Sequence, residues 1–144
     1  LLERGFVKRV GDEFSLTLKG YAELNPSLAR ERALAILRKH EAAKSFRFYI
    51  DATTPTPYSA ASLEELLTVV KIVDPRSVQY HLSNKHLSRW IREVIGDEDL
   101  ADWVTDVEGK SPSLSPEESR KLLLDVLTVR VNDLREIASK TVVR

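Results

Sequence analysis

Apolar and polar positions change period several times along the chain, and each change marks an element. Phe6 to Val10 and Phe14 to Leu16 are short β-prone runs on either side of Gly11-Asp12, a pair suited to a tight turn with positive φ; they predict a β-hairpin. Thr17 is placed to cap a short helix through Leu24, with Gly20 lowering its intrinsic stability. Asn25-Pro26 opens a helix over about 27 to 43, in which Ala29, Ala33, Ile36, Leu37 and His40 form a stripe and Arg30, Arg32, Arg38 and Lys39 occupy the other faces. His40, on or beside that stripe, reads as a packed or capping histidine rather than a ligand.

From Ser45 the period becomes two. Phe46, Phe48 and Ile50 alternate with Arg47 and Tyr49, which predicts a half-buried strand, and Thr53 to Pro57 with its two prolines predicts a loop. Ser62 with Glu65 has the form of a capping box, and Leu63, Leu66, Leu67, Val70 and Val73 mark the buried face of the helix that follows, stopped by Asp74-Pro75. Val78, Tyr80 and Leu82 alternate with Gln79 and His81 and predict a second strand. Strand, helix, strand in that order favours a right-handed βαβ unit with parallel strands.

The remainder reads as helical. Leu87, Trp90, Ile91, Val94 and Ile95 define one helix ended by Gly96; Asp97 caps the next; Glu108 to Ser113 predicts a loop. Ser115-Pro116-Glu117-Glu118 opens a long helix from about 116 to 139, along which Leu124, Leu127, Val131, Leu134 and Ala138 form a seam able to pair with a second copy of the chain. The fold class expected is α+β and mainly helical: a β-hairpin, then a small βαβ-containing module with a long C-terminal helix. The expected divisions are a hairpin unit at 1–24, a connecting helix at 25–44 and an α/β module at 45–144.

Composition adds three points. The 22 Lys+Arg balance 22 Asp+Glu, which excludes a uniformly basic polyanion binder, yet residues 1–50 carry +4, 51–110 carry −5 and 111–144 carry +1. The first unit is therefore the one suited to an anion. The chain has no Cys and no Met, with three Asn and one Gln, a depletion of thermolabile residues expected of a thermophile protein. Without Cys there is no disulfide or thiolate metal site, and without Met at position 1 the expectation is that a segment precedes Leu1. No run approaches the roughly 20 apolar residues of a membrane span, so no membrane partner and a cytoplasmic location are expected.

Two resemblances follow from particular residues. Leu1-Leu2-x-x-Gly5-Phe6-Val7-x-Arg9-x-Gly11-x-x-Phe14-x-Leu16-Thr17-x-x-Gly20-x-x-x-Leu24 resembles the end of the recognition helix, the wing and the following helix of a winged helix-turn-helix protein. That resemblance implies DNA binding and a role in transcriptional regulation, with the base-reading part of the helix upstream of Leu1. Asp12 and Glu13 at the wing tip depart from a phosphate-contacting pattern, which leaves Lys8, Arg9 and Lys19 as phosphate candidates; the alternative is a solvated hairpin face. The second resemblance covers about 45–138, from the Phe46-x-Phe48 strand through Ser62-Leu63-Glu64-Glu65-Leu66, Ser77-x-x-Tyr80-His81, His86-Leu87-Ser88-Arg89-Trp90 and Gly96-Asp97-x-x-Leu100-Ala101. It is to a prokaryotic α/β domain family of unknown function, found alone or beside phosphotransfer and signalling modules.

If the two strands are parallel, their carboxyl ends bring together Asp51, His81, Asn84, His86 and Arg89, with Thr53 and Thr54 beside them. Arg89, a histidine and the N-terminus of the helix beginning near Asn84 suit a small anionic ligand. Alternatively His81, His86 and Asp51 are a two-histidine, one-carboxylate set for a metal, although a spacing of five does not put both histidines on one helix face. The plain alternative is structural: His81 bonds across a strand–helix junction and Arg89 pairs with Asp51 or Asp97. A Gly-rich phosphate loop, H-E-x-x-H and G-x-S-x-G are all missing, so no cofactor and no catalytic residue is assigned. The reading is a non-enzymatic regulatory protein joining a winged-helix element to a ligand- or partner-binding module. A protein-interaction module without nucleic-acid binding and a small metabolite- or metal-dependent enzyme are the alternatives.

Overall fold

All the described α-helices but one, His86–Trp90, start where a short polar side chain accepts a backbone N–H. In the computed structural model, which describes residues 7–10, 13–16 and 25–140, Asn25, Ser62, Asp74, Asp97 and Ser115 each do so. The described elements are β1 (Val7–Val10), β2 (Glu13–Leu16), α1 (Pro26–Leu37), β3 (Phe46–Asp51), β4 (Thr54–Ala60), α2 (Leu63–Ile72), α3 (Pro75–Ser83), α4 (His86–Trp90), α5 (Glu98–Lys110) and α6 (Pro116–Ser139). Short 3-10 turns occupy Ala42–Lys44 and Ser111–Ser113, and a π-helical turn, Ile91–Ile95, continues α4. The protein is α+β and mainly helical, with a long C-terminal helix.

β1 and β2 pair antiparallel from Val7↔Leu16 to Val10↔Glu13, as the hairpin reading expects. Lys8 and Arg9 lie on β1. The Gly11-Asp12 turn, the Thr17 to Leu24 helix and Lys19 fall outside the described residues.

α1 begins as read, with Asn25 Oδ1 accepting from Leu28 N–H at 3.2 Å, but it stops at Leu37 rather than near 43. Arg38 turns to an extended ψ of 152°, and the His40 N–H donates to Ala61 O at 2.8 Å, so this segment is held by the start of α2 instead of by its own helix. Ala29 and Ala33 are fully buried, and these small residues let α1 lie close on α6.

The predicted βαβ unit is replaced by an antiparallel hairpin followed by helices. β4 occupies Thr54–Ala60, where a loop is expected, and pairs with β3 from Phe46↔Ala60 to Asp51↔Thr54. Proline is tolerated because the sheet has only two strands, so Pro55 and Pro57 sit on an edge where a missing N–H breaks no ladder. Val78, Tyr80 and Leu82 belong to helix α3, not to a second strand. Asp74-Pro75 both ends α2 and starts α3, and the buried set Ser77, Val78, His81 and Leu82 has helical spacing.

Gly96 (φ +82°) ends the π-helical turn as a left-handed cap, its N–H donating to Ile91 O at 2.8 Å. The predicted Glu108 to Ser113 loop is instead the last turn of α5 and a 3-10 turn. Val107, Glu108 and Ser111 are buried there, and Ser111 Oγ lies 3.2 Å from Ser119 Oγ on α6. α6 has the predicted bounds and a complete capping box between Ser115 and Glu118. Its Leu127, Val131 and Leu134 are fully buried in the chain's own core with Leu123, while Leu124 and Ala138 are partly buried. The predicted seam is therefore already covered by α1, α2, α3 and α5. Among the described residues no helix is long and apolar enough to cross a membrane.

The core also encloses a charge pair. Arg130 on α6, 1% exposed, donates from Nε and an Nη to the two carboxylate oxygens of Asp97 at 2.7 Å each, and its guanidinium lies 5.5 Å from the centre of the Trp103 ring. Asp97 Oδ1 also accepts the Leu100 N–H, so one carboxylate caps α5 and neutralises α6.

Candidate functional site

Among the described residues β3 has a partner strand on one edge only. On the other, α3 supplies side chains: Ser77 Oγ donates to Tyr49 O at 2.7 Å, and the Tyr49 N–H donates to His81 Nε2 at 2.9 Å. Ser77 and His81 are one turn apart, so one helix face satisfies both backbone groups of a strand residue that lies opposite Pro55 and between two register shifts. His81 is 3% exposed and stands edge-on to Phe46, Phe48 and Tyr80. Burial, with His86 beside it, brings its pKa down to about 4.

The second nitrogen of His81 continues the chain of hydrogen bonds. His81 Nδ1 lies 3.0 Å from Nδ1 of His86, the first residue of α4. In front of this pair is an open groove of about 440 Å³ lined by Phe46, Tyr49, Tyr80, His86 and Trp90, with Arg47 from β3 and Arg89 from α4. Trp90 is fixed by its indole N–H, which donates to Lys44 O at 2.8 Å, and by edge contact with Phe46. Arg47 and Arg89 are exposed, and among the described residues neither side chain forms a hydrogen bond or an ion pair. Glu93, one turn beyond Arg89, is the acidic side chain of this lining.

His81, His86 and Arg89 are thus brought together, by helices rather than by parallel strand ends. Asp51 and Asn84 are not part of the groove lining. Asp51 Oδ1 accepts from the Thr53 N–H (3.0 Å) and hydroxyl (3.2 Å), tying the β3–β4 turn; these bonds hold its carboxyl below the usual carboxylate range. Asn84 Nδ2 donates to Tyr80 O at 2.8 Å and closes the end of α3. A metal set of His81, His86 and Asp51 does not assemble: His81 Nε2 is occupied by a backbone N–H, the two Nδ1 atoms face each other, and no group of three metal-ligating side chains occurs among the described residues.

The helix N-terminus expected to hold an anion is already filled. The Ser88 N–H in the first turn of α4 donates to Glu108 Oε2 at 3.2 Å, so a carboxylate from α5 takes that position. Glu108 is 5% exposed, its Oε1 has no partner among the described residues, and burial pushes its pKa up. Arg89 pairs with neither Asp51 nor Asp97, the latter being taken by Arg130.

Sequence reasoning missed Arg47, Tyr49 and Tyr80 as lining residues. The signal was present in the strand: Arg47 and Tyr49 share the outward side of the Phe46, Phe48, Ile50 alternation. His40 is half-buried; its Nε2 has no partner among the described residues, and burial with Arg38 and Lys44 nearby lowers its pKa. Compared with protein families, curated proteins and solved structures, the chain finds no match.

Proposed function

We propose that the chain is a non-enzymatic regulatory protein in which a winged-helix-like N-terminal element is joined to an α/β module that binds an anionic ligand in the groove of β3, α3 and α4. The observation that carries the reading is the convergence of Arg47 and Arg89, without ion-pair partners among the described residues, on an aromatic-lined groove of ligand size. The non-enzymatic part is supported by what the histidines do: His81 is engaged by the Tyr49 N–H and by His86, which leaves it no free nitrogen for general-base work. The winged-helix part is supported by the β1–β2 pairing and by the basic balance of residues 1–50.

Two measurements test this. In thermal-shift titrations with small oxyanions, stabilisation of the protein and its loss in an Arg47→Ala, Arg89→Ala double variant support the groove, whereas no stabilisation by any anion ends that part of the reading. In gel shifts at several salt concentrations with this chain and with one extended upstream, binding by neither ends the nucleic-acid part.

A second reading, a protein-interaction module, is favoured by a different face. Trp103 and Val107 on α5 and Leu122, Val126 and Val129 on α6 line a shallow apolar groove in which Val129 is 56% exposed. A homodimer through α6 would have to use this side of the helix. Light scattering in which the wild type is dimeric and Val129→Glu is monomeric would favour it.

A further inference from the structure

We infer that the hydrogen-bond chain behind the groove fixes His86 as an Nε2–H donor, and that the groove takes a small aromatic molecule carrying a phosphate or carboxylate. The inference rests on the groove being a ligand site and specifies what that site recognises. A backbone N–H can only donate, so His81 Nε2, 2.9 Å from the Tyr49 N–H, must be the unprotonated nitrogen. The proton of neutral His81 is then on Nδ1. It points at His86 Nδ1, 3.0 Å away, which must accept, and the proton of His86 is left on Nε2. The free edge of β3 thereby sets, through His81, the tautomer of His86 in the groove. Both rings must be neutral for the chain to close, because an added proton would face either the Tyr49 N–H or another Nδ1–H.

His86 Nε2–H has no partner among the described residues, and with the guanidinium groups of Arg47 and Arg89 it makes the polar lining strongly donor-rich. Glu93 supplies the acceptor of that lining. Donors of this kind match an oxyanion, guanidinium in forked geometry above all. The remaining lining is aromatic: Phe46, Tyr49, Tyr80 and Trp90 offer ring surface for a flat apolar body, and the volume of about 440 Å³ is that of a small-molecule site rather than of an extended macromolecular one.

The test combines a tautomer measurement with a ligand series on the whole chain. Long-range proton–nitrogen spectra of the histidine rings at neutral pH should show His81 protonated on Nδ1 and His86 on Nε2; the reverse assignment overturns the inference. In calorimetric titrations, phenyl phosphate or benzoate should bind at least about tenfold more tightly than inorganic phosphate and than phenol. Arg89→Gln, an exposed change that leaves the core intact, should weaken the aromatic anion by about tenfold, as expected for a lost hydrogen bond to a charged group, and His86→Phe, which keeps a flat ring but removes both the groove donor and the acceptor of the His81 Nδ1–H, by at least as much. Glu93→Gln should strengthen it. Equal affinity for phenyl phosphate, benzoate and inorganic phosphate overturns the inference while leaving an anion site standing. Binding of none of them removes the site itself.

Discussion

His81 engages both ring nitrogens in structure, and that predicts a pH dependence. Its pKa is about 4 in the folded chain against an ordinary value near 6.5, so the unfolded state binds the extra proton between those values. Its contribution is therefore complete above about pH 6.5 and lost as pH falls toward about 4, up to about 3 kcal/mol. Glu108 acts in the opposite sense, because its raised pKa makes ionisation unfavourable as pH rises past the ordinary carboxylate range. Comparing denaturant unfolding of the wild type with His81→Gln, which keeps an acceptor for the Tyr49 N–H without a titrating group, isolates the histidine. The wild type should lose stability more steeply over that window; identical slopes would contradict the assignment. The same scale holds the largest single stability effect. Arg130→Met leaves the Asp97 carboxylate buried without its cation and should cost about 3–5 kcal/mol in urea unfolding, whereas the double change Arg130→Met, Asp97→Asn should cost much less per residue removed. Neither Asp97 nor Arg130 advertises this bond in the sequence, because their pairing joins two helices; only the capping half of the Asp97 role is local enough to read.

At the scale of elements, the helix starts were legible, whereas the ends of α1 and α5 and the strand–helix choice at Val78 to Leu82 were not. Capping residues act within three or four positions, so Asn25, Ser62, Asp97, Gly96 and the Ser115–Glu118 box could be read directly. One detail differs: Glu65 Oε1 accepts from the Ala61 N–H rather than that of Ser62, which joins α2 to the strand before it. By contrast, Val78, Tyr80 and Leu82 fit a period of two as well as part of a helical one, and the arbiter is tertiary: α3 must present Ser77 and His81 together to the edge of β3. The prolines of β4 exclude a central strand but say nothing against an edge. The left-handed cap gives a clean prediction. A Cβ at Gly96 would meet nothing within 4 Å, so Gly96→Ala should cost only the conformational strain of φ +82°, about 1 kcal/mol in thermal unfolding, with no loss of fold. A larger loss would mean that the turn between α4 and α5 is held by more than this backbone geometry.

For the whole molecule, the depletion of Asn, Gln, Cys and Met predicts an unfolding midpoint above the range of about 45–65 °C usual for mesophile domains, which calorimetry checks directly. The candidate site is a property of the whole molecule in the same sense. His81, His86 and Arg89 could be singled out in sequence because they lie close together in it; Arg47, Tyr49 and the aromatic lining join them only because β3 runs antiparallel to β4 and its free edge is capped by α3. Asp51 and Asn84 drop out for the same reason, since a turn and a helix end leave them outside the lining. The proposed anion site in this groove is open to direct test. The most direct measurement is amide chemical-shift mapping of labelled protein titrated with phenyl phosphate. Saturable shifts concentrated at Arg47, Tyr49, His86 and Arg89 are expected; absence of any shift at millimolar ligand, or shifts confined to the Trp103 and Val129 face, would contradict an anion site in this groove.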